Sequence, residues 1–178
     1  MTRAGRACAA AAVALVLAPA TACSVLQGPA APRTPAPVQA AWPGCEAVGA
    51  FVDDRAPELT GAGAVPDGFT ATRVVLCTTA DREDAAGAEV SVELERSSAD
   101  VGPLLTYLAR PSERATDGPC TADGWLGPWM FLLDDAGRYV VPAIPVDRCG
   151  KPLGWSDREA EPFAWEKLAY TDRVLRTG

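Results

Sequence analysis

The residues best equipped for chemistry in this 178-residue chain are six cysteines, four knots of acidic side chains and a close pair of tryptophans, and the chain contains no histidine. Without an imidazole, neither a Ser-His-Asp nor a Cys-His relay can be assembled, nor a zinc site that uses histidine. Carboxylates or thiols would have to carry any reaction. The acids cluster at Asp53-Asp54, Asp81 to Asp84, Asp134-Asp135 and Asp157 to Glu161. Such groups can ligate calcium or act as the paired carboxylates of glycoside hydrolysis. None has EF-hand spacing, and each falls in a segment that reads as a loop, where solvated acids are ordinary turn chemistry. No residue is therefore assigned to catalysis, and no metal or cofactor is expected.

The cysteines are Cys8, Cys23, Cys45, Cys77, Cys120 and Cys149. The last four contain no C-x-x-C pair, so structural disulfides are expected in place of a thioredoxin-like or zinc-ribbon site. Loop-closure entropy assigns about 3.7 kcal/mol to a Cys45 to Cys77 bridge, about the same to Cys120 to Cys149, and little more to crossed pairings. Entropy therefore does not choose among them. The sequential pairing is the expectation because each bridge then ties neighbouring elements, Cys45 to a first strand and Cys120 with Cys149 around a hairpin. Between them, Gly124-Trp125-Leu126-Gly127-Pro128-Trp129 forms a candidate binding loop. Exposed, Trp125 and Trp129 could stack on sugars or grip a partner; turned inward, Trp129 would begin a strand and pack the core.

Two cysteines lie outside that set. Arg3 and Arg6, the apolar run Ala7 to Leu17 and the small residues Ala18 to Ala22 make the three-part plan of a secretory signal over residues 1–22. A permanent span is the competing reading, but the run is alanine-heavy and Pro19, Gln27, Gly28 and Pro29 interrupt it short of the ~20 strongly apolar residues a span needs. Ala20-Thr21-Ala22-Cys23 resembles a bacterial lipobox, which makes Cys23 the expected site of lipidation. The same residues also read as an A-x-A site that would release a soluble protein. Cleavage before Cys23 leaves five cysteines, an odd number for an oxidising compartment, and lipid on Cys23 would remove the odd thiol.

Charge narrows the partners. The chain has 16 Lys plus Arg against 23 Asp plus Glu, and loss of the leader leaves 14 basic residues and a balance of minus 9. That disfavours electrostatic binding to nucleic acid and to anionic lipid surfaces. The expected partners are the membrane, through an N-terminal lipid, and a protein or glycan outside it.

Residues 23–44 are Pro- and Ala-rich with Arg33 their only charge, and read as a tether reaching about 70 Å at ~3.1 Å per residue. The globular domain is expected over 45–178. A short helix is expected within Cys45 to Leu59, a strand over Phe69 to Thr78, a polar hairpin loop over Ala80 to Ala88 and a strand over Glu89 to Arg96. A helix over Gly102 to Arg110 follows, with Ser97, Ser98 or Asp100 as its cap and Pro103 in its first turn. Trp129 to Leu133 and Arg138 to Ile144 form a hairpin around Asp134-Asp135-Ala136-Gly137. A helical turn from Ser156 and a last strand over Tyr170 to Arg176 complete an α+β fold. Its expected form is a small antiparallel sheet of four or five strands with one or two helices on one face, stapled by two disulfides.

Val65-Pro66-Asp67-Gly68-Phe69, the strand ending in Cys77 and Pro145-Val146-Asp147-Arg148-Cys149-Gly150-Lys151-Pro152 together resemble a group of actinobacterial secreted lipoproteins with no assigned function. The resemblance covers most of Cys45 to Pro152. It implies an exported address and a disulfide-bonded domain. The order strand, cysteine, helix, cysteine, hairpin, cysteine is also similar to that of small secreted subtilisin inhibitors, which present a scissile bond after the cysteine following the helix. Here that place is Cys120-Thr121-Ala122-Asp123-Gly124, and the inhibitors' second bridge has no counterpart. The functional expectation is a non-enzymatic extracytoplasmic binding or accessory domain, with an inhibitor of extracellular serine proteases as the alternative.

Overall fold

A computed structural model describes residues 32–49, 61–122 and 127–177. The expected signal, Cys23, Trp125 and the Asp53-Asp54 pair lie outside those residues. Strands β1 (Arg73–Glu83), β2 (Glu89–Ser98), β3 (Trp129–Leu133), β4 (Tyr139–Val140) and β5 (Thr171–Thr177) form one antiparallel sheet in the order β4-β3-β1-β2-β5. Helix α1 (Gly102–Leu108) and a 3-10 turn at Trp155–Asp157 are the helical elements among the described residues. Both expected disulfides are present, Cys45–Cys77 and Cys120–Cys149, each with its Cα atoms 5.6 Å apart.

The central strand explains the architecture. Val74-Val75-Leu76-Cys77 is a continuous apolar run, and successive side chains on a strand point to opposite faces, so both faces of the sheet need cover. On one face Val74, Leu76, Met130, Leu132 and Val140 pack under Leu104, Tyr107 and Leu108 of α1, together with Leu153, Phe163, Trp165 and Leu168. On the other, Val75, Cys77, Phe131 and Leu133 pack with Cys45, Trp42, Trp129 and Tyr139. β2 alternates in the usual one-sided way. Its Val92 and Leu94 are buried, while Glu93 and Glu95 pair with Arg176 and Arg173 of β5.

The cover of the second face corrects the boundary expected at Cys45. Residues 33–44 lie along the domain. Gln39 exchanges backbone hydrogen bonds with Tyr139 at the outer edge of β4, and Trp42 N donates to Gly137 O at 2.8 Å. Ala36 N donates to Ala64 O at 2.8 Å and Ala64 N to Thr34 O at 2.9 Å. Gly63 is squeezed between this segment and Val141 to Ala143, where a Cβ would meet Ala36 N at 2.6 Å. The Arg33 guanidinium donates to Leu108 O and Arg110 O, carbonyls at the C-terminal end of α1, and to Ala143 O. The segment is poor in large apolar side chains, as its sequence says. It is ordered because a sheet edge offers its backbone partners and Trp42 fills the space over Phe131, with ring centroids 4.5 Å apart.

Other departures have local causes. β1 runs to Glu83, through half of the expected loop, because a polar hairpin projecting into solvent keeps its register down to Glu83↔Glu89. The second hairpin strand shrinks to Tyr139–Val140 because Pro142 has no N–H and the chain there bridges to Gly63. No side chain caps α1. Val101 occupies the N-cap, and Ser98 Oγ accepts from Asp100 N.

If Trp42 is core, Trp42→Ala should destabilise the domain by about 3 kcal/mol in urea unfolding, as buried aromatic deletions do. Trp42→Phe should cost far less, because the buried indole Nε1 makes no hydrogen bond. A tether without contacts would leave both variants at wild-type stability.

Candidate functional site

The hairpin of β3 and β4 is bracketed by Cys120–Cys149. Cys120, Thr121 and Ala122 are exposed, and the chain resumes at Gly127 and Pro128 before β3. Trp129 is half-buried opposite Cys77 and packs on the second cluster beside the Cys45–Cys77 bridge. The inward reading of this residue therefore describes it. Glu95 helps to hold that bridge: its Oε2 accepts from Cys45 N at 3.1 Å and its Oε1 pairs with Arg173 at 2.8 Å.

Beside the Cys120 loop lies a group that sequence reading missed. Lys151 is buried, its Nζ donates to Thr121 Oγ1 and sits 5.5 Å from the Trp155 ring centroid. From Trp155 an alternating stack continues inward. Arg158 lies 5.9 Å from the Trp155 ring and 5.4 Å from Phe163, and Phe163 stacks on Trp165 at 4.5 Å. Trp165 meets Tyr107 edge-on at 5.6 Å, and Arg110 lies over Tyr107 at 5.6 Å. Cation–π contacts of this kind contribute roughly 0.5–1 kcal/mol each where exposed. The stack ties Thr121 and the segment after Cys149 to α1. The available signal was the spacing Trp155, Arg158, Phe163, Trp165, in which a cation is interleaved with rings.

Of the described members of the acidic clusters, Asp84 and Asp134 serve turns and Asp134 and Glu161 enter ion pairs. Asp84, Asp134 and Asp147 each begin the same three-residue hairpin loop. The Oδ1 of each accepts the N–H groups two and four residues on: Ala86 and Ala88, Ala136 and Arg138, Cys149 and Lys151. The third loop residue is a glycine at positive φ in all three, Gly87, Gly137 and Gly150. At Asp134, desolvation works against the charge. The side-chain and backbone hydrogen bonds from Arg138, its charge, and the backbone hydrogen bond from Ala136 outweigh it and hold the carboxyl below its ordinary pKa. Glu161 is likewise lowered by its hydrogen bond to Lys167. Among the described residues no three His, Cys, Asp or Glu side chains are grouped to hold a metal ion. The β1–β2 hairpin end carries an open hollow of about 280 Å³ lined by Asp81, Arg82, Glu83, Gly87 and Glu89. Its mixed charges lie at a solvent-facing tip.

No family model matches the chain, and neither a curated protein nor a solved structure matches it.

Two tyrosines at the margins of the first core give the domain an alkaline signature. Burial raises Tyr107 and Tyr170 to about 12, against the opposing pull of Arg110 and Arg33 on the first and Arg96 on the second. Their hydroxyls donate to Leu153 O at 3.0 Å and Trp165 O at 2.7 Å. A pKa above the unfolded value of 10.0 stabilises the fold fully below pH 10, and that contribution is lost as pH rises toward 12. Phenolate absorbance should accordingly report two tyrosines titrating near pH 12, with unfolding setting in over that window. Titration of both near 10 in the folded protein would contradict the burial. In addition, Trp129→Ala should cost roughly 2–3 kcal/mol, half-buried as the ring is, without opening either disulfide.

Proposed function

We propose that the chain is a lipoprotein held at the outer face of a cell membrane through Cys23, with a non-enzymatic domain that binds a protein or glycan there. The observation that carries this reading is the pairing of the domain's cysteines with one another, Cys45 with Cys77 and Cys120 with Cys149. That leaves no domain thiol for Cys23, which stands at the end of a lipobox-like Ala20-Thr21-Ala22. Two disulfides are compatible with an oxidising compartment. The likeness of Val65 to Phe69 and Pro145 to Pro152 to secreted actinobacterial lipoproteins supports the same address.

Binding is favoured over catalysis by where the polar groups are spent. Asp84, Asp134 and Asp147 are engaged by backbone N–H groups, and Lys151 Nζ donates to Thr121 Oγ1. The contact surface assigned to a partner is the loop that leaves Cys120. A second reading, an inhibitor of extracellular serine proteases, is favoured by Thr121 and Ala122, exposed directly after Cys120 and held by the bridge and by Lys151. An exposed segment held in that way suits a protease cleft.

Labelled palmitate should enter the wild-type protein and not Cys23→Ala, and the wild type should sediment with membranes. A wild type found wholly in the medium with Ser24 or a later residue as its free N-terminus refutes the anchor. For the domain, Trp125→Ala should weaken retention of the cell-envelope partner while leaving the melting temperature unchanged. Stoichiometric block of subtilisin by the purified protein would replace the binding reading with the inhibitor reading.

A further inference from the structure

The described arginines are distributed unevenly between partners. Arg82 and Arg96 pair with Asp172, Arg138 with Asp134, Arg158 with Glu166, Arg173 with Glu95, and Arg176 with Glu46 and Glu93. Arg33 is spent on backbone carbonyls. Arg73 on β1 is exposed and in no ion pair among the described residues, and so are Arg110, which lies over the Tyr107 ring, Arg114 and Arg148. The last three belong to one strip. Residues 112–116 run beside 146–148, with Glu113 N donating to Val146 O at 2.8 Å, Thr116 N to Arg148 O at 3.0 Å and Val146 N to Ser112 Oγ at 3.2 Å. Two acids, Glu113 and Asp147, lie inside the strip and Asp117 is exposed just beyond it, so with Arg33 four guanidiniums stand against three carboxylates. Glu113 Oε2 accepts from Arg148 N at 3.2 Å, and Asp147 Oδ1 accepts from Cys149 N and Lys151 N.

This strip begins beside Arg33, the second of the described residues. Arg33 grips Leu108 O, Arg110 O and Ala143 O, the near ends of both segments. Nine residues, or ten steps of chain, separate it from Cys23. At ~3.1 Å per residue those ten span about 31 Å, less than half the reach expected when the whole of 23–44 was read as a tether. An anchor this short turns a second contact with the same membrane into an intramolecular event, so a weak contact suffices. Nor does the net charge of minus 9 left after loss of the leader prevent it. Screening over about 8 Å at physiological ionic strength leaves only the groups nearest the headgroups to be felt.

We infer that the strip of Arg110, Arg114 and Arg148, beside Arg33, docks the domain on anionic phospholipid headgroups. The inference rests on the lipid anchor at Cys23. It sets the orientation of the domain, with the C-terminal end of α1 toward the lipid.

The test uses the full lipidated protein in vesicles of phosphatidylcholine alone and in vesicles of phosphatidylcholine and phosphatidylglycerol in equal parts. Arginines are modified with phenylglyoxal and read by peptide mass spectrometry. Arg73, exposed on β1 opposite Leu133 and outside the strip, is the internal reference. On the anionic vesicles, labelling of Arg110, Arg114 and Arg148 should slow by about threefold or more relative to Arg73, and high salt should abolish the difference. The double variant R114Q/R148Q alters exposed side chains only, and should lose the protection of Arg110 while keeping its melting temperature. The mass of the N-terminal peptide reports the lipid separately. A peptide without lipid overturns the anchor and the docking together. A lipidated peptide with equal labelling on both vesicles overturns the docking alone.

Discussion

A central strand that is apolar on both faces sets the terms for everything else in this domain. Val74 and Leu76 look one way and Val75 and Cys77 the other, and each face left open would expose its row to water. Among the described residues one seven-residue helix serves the first face. For the second, the described residues offer no regular element, and an irregular N-terminal segment serves, held by the Cys45–Cys77 bridge below and by Gln39 against β4 at the edge. A weakly folding segment can serve as a core wall because the bridge restricts its alternatives in the unfolded chain and Trp42 packs on Phe131 and Tyr139. The same segment covers the β4 edge, which would otherwise present unpaired backbone groups.

The acidic composition has a related explanation. In the three Asp-x-x-Gly turns, a carboxylate satisfies two N–H groups that the tight loop cannot pair elsewhere, and the glycine supplies the positive φ. On β2, Glu93 and Glu95 face Arg176 and Arg173 across the sheet, and Asp172 of β5 holds both Arg82 and Arg96. Acids concentrated by sequence thus become supports for backbone and for cross-strand pairs.

The candidate loop was chosen from Cys120, Gly124, Gly127, Pro128 and Trp129, since glycine, proline and a cysteine are the residue types of a constrained loop. What lies beside it was less legible. Lys151 comes thirty residues after Thr121, and Trp165 is nearly sixty after Tyr107, so the stack that reaches Thr121 exists only once α1 and the C-terminal loops pack on one face.

Local patterns in the amino-acid order were sufficient for the elements whose cause is local. Trp129–Leu133 ends where a turn is encoded, α1 starts at Gly102 with Pro103 in its first turn, and the four cysteines pair in sequence because each bridge joins adjacent elements. The extent of β1, the shortness of β4 and the membership of residues 33–44 could not be read that way. Each depends on a partner distant in sequence: β2 carries Thr79 to Glu83 as strand, Gly63 captures the chain at Pro142, and the carbonyls of Leu108, Arg110 and Ala143 capture Arg33. A proline-rich segment has the same composition whether free or docked. The difference lies in whether the folded chain offers its backbone hydrogen-bond partners, and that is a property of the assembled sheet.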